Sequence, residues 1–158
     1  MAAHPVTEPQ APPRAPLIGW RLLALFYDLW PVAAVWLAIS AVFTFGYFFA
    51  GHGERENIAP FSPLAWLLWI SCWLVTGAYA VASWRRGGQT LGMRPWRLRV
   101  VDATGAAPTP RAAMLRFVAG TASLLCAGAG FWWAWFDRDG LTWHDRLSGT
   151  RMHRLPKR

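Results

Sequence analysis

Residues 17–50, LIGWRLLALFYDLWPVAAVWLAISAVFTFGYFFA, decide the fold. From Leu22 to Ala50 this stretch carries a single charged residue, Asp28, with Arg21 at its edge. An apolar run longer than about 20 residues is what a helix needs to cross a bilayer. A carboxylate within such a helix costs roughly 2.5–3.5 kcal/mol near the centre unless it is paired, protonated or reached by water. Asp28 is therefore the leading functional residue in the chain. Pro31 lies three residues on and cannot donate to the carbonyl of Tyr27, which predicts a kink and freed backbone polarity beside Asp28. The plainer reading is a tolerated kink packed against neighbouring segments.

Outward from this stretch, composition and charge agree with a membrane protein. The 158 residues make one compact unit, 54% apolar with 12 Trp, yet the formal charge is +8. Apolar content and charge are segregated: the apolar residues fall into three long blocks, and 13 of the 16 Lys and Arg lie in 84–116 and 137–158. Apolar blocks with basic flanks describe an integral membrane protein whose partners are the bilayer and its anionic headgroups. A basic chain also suggests nucleic acid, but these residues border apolar spans and no nucleic-acid fold signature accompanies them. Cys72 and Cys126 sit inside apolar blocks, without disulfide or zinc-ligand spacing.

Residues 1–16, with Pro5, Pro9, Pro12, Pro13 and Pro16, read as a disordered leader, and 155–158 as a basic tail. The apolar run after the leader is too long for a signal peptide and has no small-residue cleavage site, so it is expected to stay as an anchor. A first span covers about 17–49, a polar loop 51–60, and a second span 61–83. Trp66, Trp69 and Trp73 share one face of the second span, suited to helix packing, lipid or a ligand. Trp20, Trp84, Trp96 and Trp143 fall near predicted ends, where indole favours the interface. Residues 97–102 alternate like a strand and 103–105 offer a turn, predicting an extended or hairpin-like element against the membrane surface. Arg94, Arg97 and Arg99 there could hold lipid phosphates, or simply be solvated and set topology. The third block, about 112–136, carries Arg116 near its start and is interrupted at Gly128–Gly130.

Topology poses a conflict. Lys plus Arg number two through Arg21, one in 51–60, seven in 84–116 and six after 137. The first three put the amino terminus and the middle segment in the cytoplasm, but a full third span would carry the basic tail outside. A third block broken or re-entrant at 128–130 would return it. The expectation is an all-α integral membrane protein with three hydrophobic segments, the third broken or re-entrant, and a short extended cytoplasmic element.

Three segments together resemble a known family. Arg21 with Asp28, then GQTLGMRPWRLRVVDATG at 88–105, then WHDRLSGT at 143–150, are similar to the RDD family of small prokaryotic membrane proteins. The resemblance runs from about 17 to 154, making that stretch one RDD-type membrane domain. By position Arg21 matches the family arginine, Asp28 the first aspartate and Asp145 the second, with Asp102 as the lesser candidate. Where relatives often carry Lys after the middle-segment glycine, this chain has Met93. The resemblance implies a multi-pass protein of the bacterial inner membrane. For activity it implies transport, with cation/proton exchange attributed to some relatives.

The residues themselves add constraints. Arg21 and Asp28 are seven positions apart, about 10.5 Å along a helix axis, too far for an easy pair. Asp28 is therefore expected to meet Arg116 from another segment, and Arg21 to meet Asp145. Such pairs serve structure as readily as function. His144 beside Asp145 could titrate near neutral pH. The sequence shows no phosphate-cradling loop, no metal-ligand pair at helical spacing and no nucleophile motif, so no enzyme activity, cofactor or metal is expected. Two functions follow: a transport component with Asp28 on an ion path, or a non-transporting accessory protein with its charges in structural pairs. One copy has too few spans to enclose an alternating-access cavity, so transport would need a homo-oligomer or a partner membrane protein. A third, weaker reading is an anionic-lipid binder.

Overall fold

The computed structural model describes residues 17–53 and 57–156. The expected leader, 1–16, and the last two residues of the basic tail lie outside them. Helix α1 spans Ile18–Phe49 and runs continuously through Pro31. Its 32 residues give a length of about 48 Å, more than a ~30 Å hydrocarbon core, so it tilts or projects. Helix α2, Pro63–Gly87, begins with Ser62 capping the Ala65 amide and Pro63 in the first turn, and ends at Gly88 in the left-handed region (φ 73°). Both are long and apolar enough to cross a membrane. They lie antiparallel, joined by a hydrogen bond from Trp36 Nε1 to Thr76 Oγ1 (2.8 Å).

Helix α3, Pro110–Leu125, uses the same start signal, Thr109 capping Ala112 ahead of Pro110. It packs antiparallel to α2, with Trp73 Nε1 donating to Thr121 Oγ1 (3.3 Å). Gly77 permits the close approach: a Cβ there would sit 2.8 Å from the Phe117 ring. After Leu125 the chain breaks at Ala127 and Gly128, both at positive φ. It turns by 106° into α4, Ala129–Trp132, which continues as a 3-10 turn at Trp133–Trp135. The interruption expected at 128–130 is thus a sharp bend. The short helix α5, Trp143–Ser148, then packs along α3.

The extended element differs from a hairpin. Strand β1, Leu98–Asp102, pairs antiparallel with β2, Thr150–Arg154, in the register Leu98↔Arg154 to Asp102↔Thr150. The turn after β1 exists, but the Asp102 carboxylate fastens it by accepting from the Thr104 and Ala106 amides (2.8 and 2.9 Å). Beyond it, Pro108 and Pro110 cannot donate to a returning ladder, and the chain enters α3 instead. The strand partner comes from the tail.

This pairing answers the topology conflict. The start of α1, the end of α2, the start of α3, β1, β2 and α5 gather at one end, so the middle segment and the tail lie on the same side. The core sits there too: Ala24, Met93, Leu98 and Val100 are buried beneath Leu17, Trp20, Trp84, Trp96 and Met152. Along α1 and α2 much of the apolar surface is exposed, including Trp30, Leu37, Val42, Trp66 and Trp69. That surface belongs against lipid or another apolar chain.

Candidate functional site

At the polar end a buried carboxylate lies between two buried guanidiniums. Arg21 Nη1 is 2.7 Å from Asp145 Oδ2, and Arg116 Nη1 is 2.6 Å from Asp145 Oδ1. Each of the three residues is at most 4% exposed. Local sequence sets the carboxylate in place. Thr142 and Asp145 form a capping box, the threonine hydroxyl accepting from the Asp145 amide (3.3 Å) and the carboxylate accepting from the Thr142 amide (3.2 Å). Arg21 Nη1 also donates to Thr142 Oγ1 (3.1 Å), and Arg116 Nη1 to Thr150 Oγ1 (2.7 Å). The guanidinium of Arg116 sits over the Trp84 ring, 5.5 Å from its centroid. One cluster thereby joins α1, α3, α5 and β2.

Burial alone would raise the Asp145 carboxyl, but Arg116 and then Arg21 hold it well below the usual carboxylate range. His144 behaves oppositely. Burial, reinforced by Arg116 and Arg21 against the opposing pull of Asp145, lowers it to about 3. Its Nδ1 is buried without a hydrogen-bond partner among the described residues, and its ring packs against Phe131 (4.8 Å between centroids). His144 is therefore neutral at pH 7 rather than poised to titrate there.

The pH dependence of stability follows. Below its ordinary value near 6.5 the unfolded histidine takes a proton that the folded one refuses, so stability falls as the pH drops from about 6.5 toward 3. The Asp145 contribution is complete above its ordinary value near 3.8 and is lost as pH falls through its lower folded value. His144 thus contributes a loss of stability between about pH 7 and pH 5. His144→Gln, similar in size and unable to titrate, should flatten the melting temperature over that range in detergent; an unchanged slope would remove His144 as its cause.

Asp28 sits in a second polar cluster, two helical turns from Arg21. Its Oδ1 accepts from Tyr79 Oη (2.9 Å) and the Gly92 amide (2.8 Å), and its Oδ2 accepts from Thr90 Oγ1. Tyr79 Oη in turn accepts from the Leu91 amide (2.9 Å). The expected Asp28–Arg116 pair is therefore absent. Arg116 points to α5 at the polar end, while Asp28 faces α2 and the 89–92 loop, and neutral donors from those elements satisfy it. Among the described residues Asp28 makes no salt bridge. The expected Arg21–Asp145 contact is present, with Arg116 as a third member.

Asp102, held in its local turn, takes no part in either cluster. Met93 is buried in the core, so its position offers no phosphate contact. Arg94 and Arg99 are exposed and Arg97 half-buried on the surface of the middle segment. Sequence reading missed Tyr79, Thr90 and Gly92 as partners of Asp28, and Thr142 and Thr150 as partners of the arginines. The Thr-x-x-Asp spacing at 142–145 was the legible signal for one of them. No group of His, Cys, Asp and Glu able to hold a metal occurs among the described residues.

These features define a small helical membrane protein whose polar end is fastened by a buried arginine–aspartate–arginine cluster. The chain belongs to the RDD family, whose model matches residues 15–149. No curated protein and no solved structure matches it in comparison.

Proposed function

We propose that this protein is a non-enzymatic accessory component of the bacterial inner membrane, with its amino terminus and polar end in the cytoplasm. One observation carries the reading: both intramembrane-edge carboxylates are committed within the fold. Asp145 is shared by two arginines, and Asp28 accepts from two hydroxyls and an amide. Such arrangements fix register and hold segments together. The orientation rests on charge, since the segments gathered at the polar end hold nearly all the basic residues and loop 51–60 holds one. The exposed apolar faces of α1 and α2 would receive lipid, a second copy or a partner membrane protein.

One observation favours a transport component instead. The donors around Asp28 are all uncharged, so nothing among the described residues ion-pairs with this half-buried carboxylate, and such a group attracts cations. Flux separates the readings. Protein reconstituted in liposomes and challenged with Na⁺, K⁺ and proton gradients is expected to show no flux above empty liposomes, and Asp28→Asn no change. Cation or proton flux abolished by Asp28→Asn in folded protein would overturn the accessory reading and establish transport.

A further inference from the structure

The Arg21–Asp145–Arg116 cluster is not electrically closed. Two guanidiniums share one carboxylate, leaving one buried positive charge. Uncompensated buried charge is costly, so the surroundings should supply or admit an anion. Arg21 lines a cleft of about 230 Å³ whose other walls are Leu17, residues 139–141 and residues 151–154. Among the described residues the side-chain hydrogen bonds and ion pair of Arg21 all use Nη1, although a guanidinium carries five donors. Arg151 and Arg154 are exposed at the same cleft. Arg154 is held in place by its guanidinium, stacked 3.9 Å over the Trp20 ring. The carboxylate at the rim, Asp139, already faces Arg146 at 3.3 Å.

We propose that this cleft binds a phosphate group, the headgroup phosphate of an anionic phospholipid being its source. Arg21, Arg151 and Arg154 all line this concavity, which is sized for a headgroup rather than for a larger ligand. Its level is right for a lipid: Leu17 immediately precedes α1, and the apolar run that enters the bilayer begins one residue beyond Arg21, at Leu22. Trp20, packed at 5.2 Å against Trp96, adds the amphipathic rings that favour this depth. The bound phosphate would offset the surplus charge of the cluster and tie β2 to the start of α1. The inference needs only the membrane placement of α1 and is independent of whether the protein transports anything, so its failure would leave the flux result standing.

The test uses the full chain. Protein from nanodiscs containing phosphatidylcholine with or without phosphatidylglycerol is analysed by native mass spectrometry, and its melting temperature is followed in detergent with added inorganic phosphate. The parent should retain phosphatidylglycerol in preference to phosphatidylcholine. Arg151→Gln with Arg154→Gln should lose that preference by about tenfold, and Arg151→Gln alone by a smaller factor with an unchanged melting temperature. Arg111→Gln, an exposed arginine outside the cleft, should retain it. Stabilisation by inorganic phosphate that depends on Arg151, without lipid retention, would support the phosphate site and assign it to a soluble phosphate. Equal loss in Arg111→Gln and the cleft variants, or no phosphatidylglycerol preference together with no phosphate stabilisation, would overturn the proposal.

Discussion

Asp145→Asn should destabilise the protein by about 3–5 kcal/mol, the largest effect expected of any isosteric change in the chain. The carboxylate is buried with two guanidiniums at 2.7 and 2.6 Å, so the substitution leaves two like charges facing each other out of water. The amide also turns one acceptor into a donor aimed at an arginine that can only donate. The capping box weakens at the same time, because the Thr142 amide loses a charged acceptor. Since the cluster joins α1, α3, α5 and β2, the damage should appear as loss of the whole polar end. Thermal unfolding in detergent checks this, with the triple variant Arg21→Met, Asp145→Leu, Arg116→Met beside it. Removing all three charges should cost less than removing the aspartate alone, because no uncompensated charge is left behind. An Asp145→Asn protein melting with the parent would show that the cluster contributes no net stability.

Gly92→Ala should cost about 3 kcal/mol or more, from one added methyl group. A Cβ at Gly92 would lie 2.2 Å from the Ala24 carbonyl oxygen and 2.6 Å from the Asp28 amide nitrogen. Both are α1 backbone atoms, so no rotamer change relieves the clash. The loop must lift from the helix, taking the Gly92 amide off Asp28 and dragging at Thr90 and the buried Met93. The carboxylate would then lose charge-assisted hydrogen bonds where water is scarce. Gly19→Ala is the control: it too adds a methyl group to glycine, but nothing lies within 4 Å. It should be neutral or slightly stabilising, because alanine favours helix. Protease accessibility of the 88–97 segment, compared between the two variants, would locate the damage; equal melting temperatures would show that the loop does not pack on α1 as described.

Much of the architecture was legible in local chemistry. The spans expected at about 17–49 and 61–83 lie within a few residues of the helices Ile18–Phe49 and Pro63–Gly87. Gly128 marked the break in the third segment, because a glycine in the left-handed region stops a helix wherever it occurs. The Arg21–Asp145 contact was also within reach, since both residues belong at the polar end. The partner of Asp28 was not. An unpaired carboxylate in an apolar run directs attention to arginines, whereas here two hydroxyls and an amide suffice. Those donors come from positions 51 to 64 residues away, and no local pattern marks them.

The sequence by itself determined that this is a helical membrane protein with two spans, a broken third segment and its positive charge gathered at one end. These properties follow from hydropathy, residue spacing and backbone preference, each of which acts over a few turns of chain. Only the tertiary structure decided that β1 pairs with the tail rather than with its neighbour, that Arg21 and Arg116 share one carboxylate, and that Asp28 is held by neutral donors. Strand pairing and ion pairing depend on which surfaces meet when the third segment folds back along α2. That meeting is a property of the packed chain, and no stretch of 20 residues contains it.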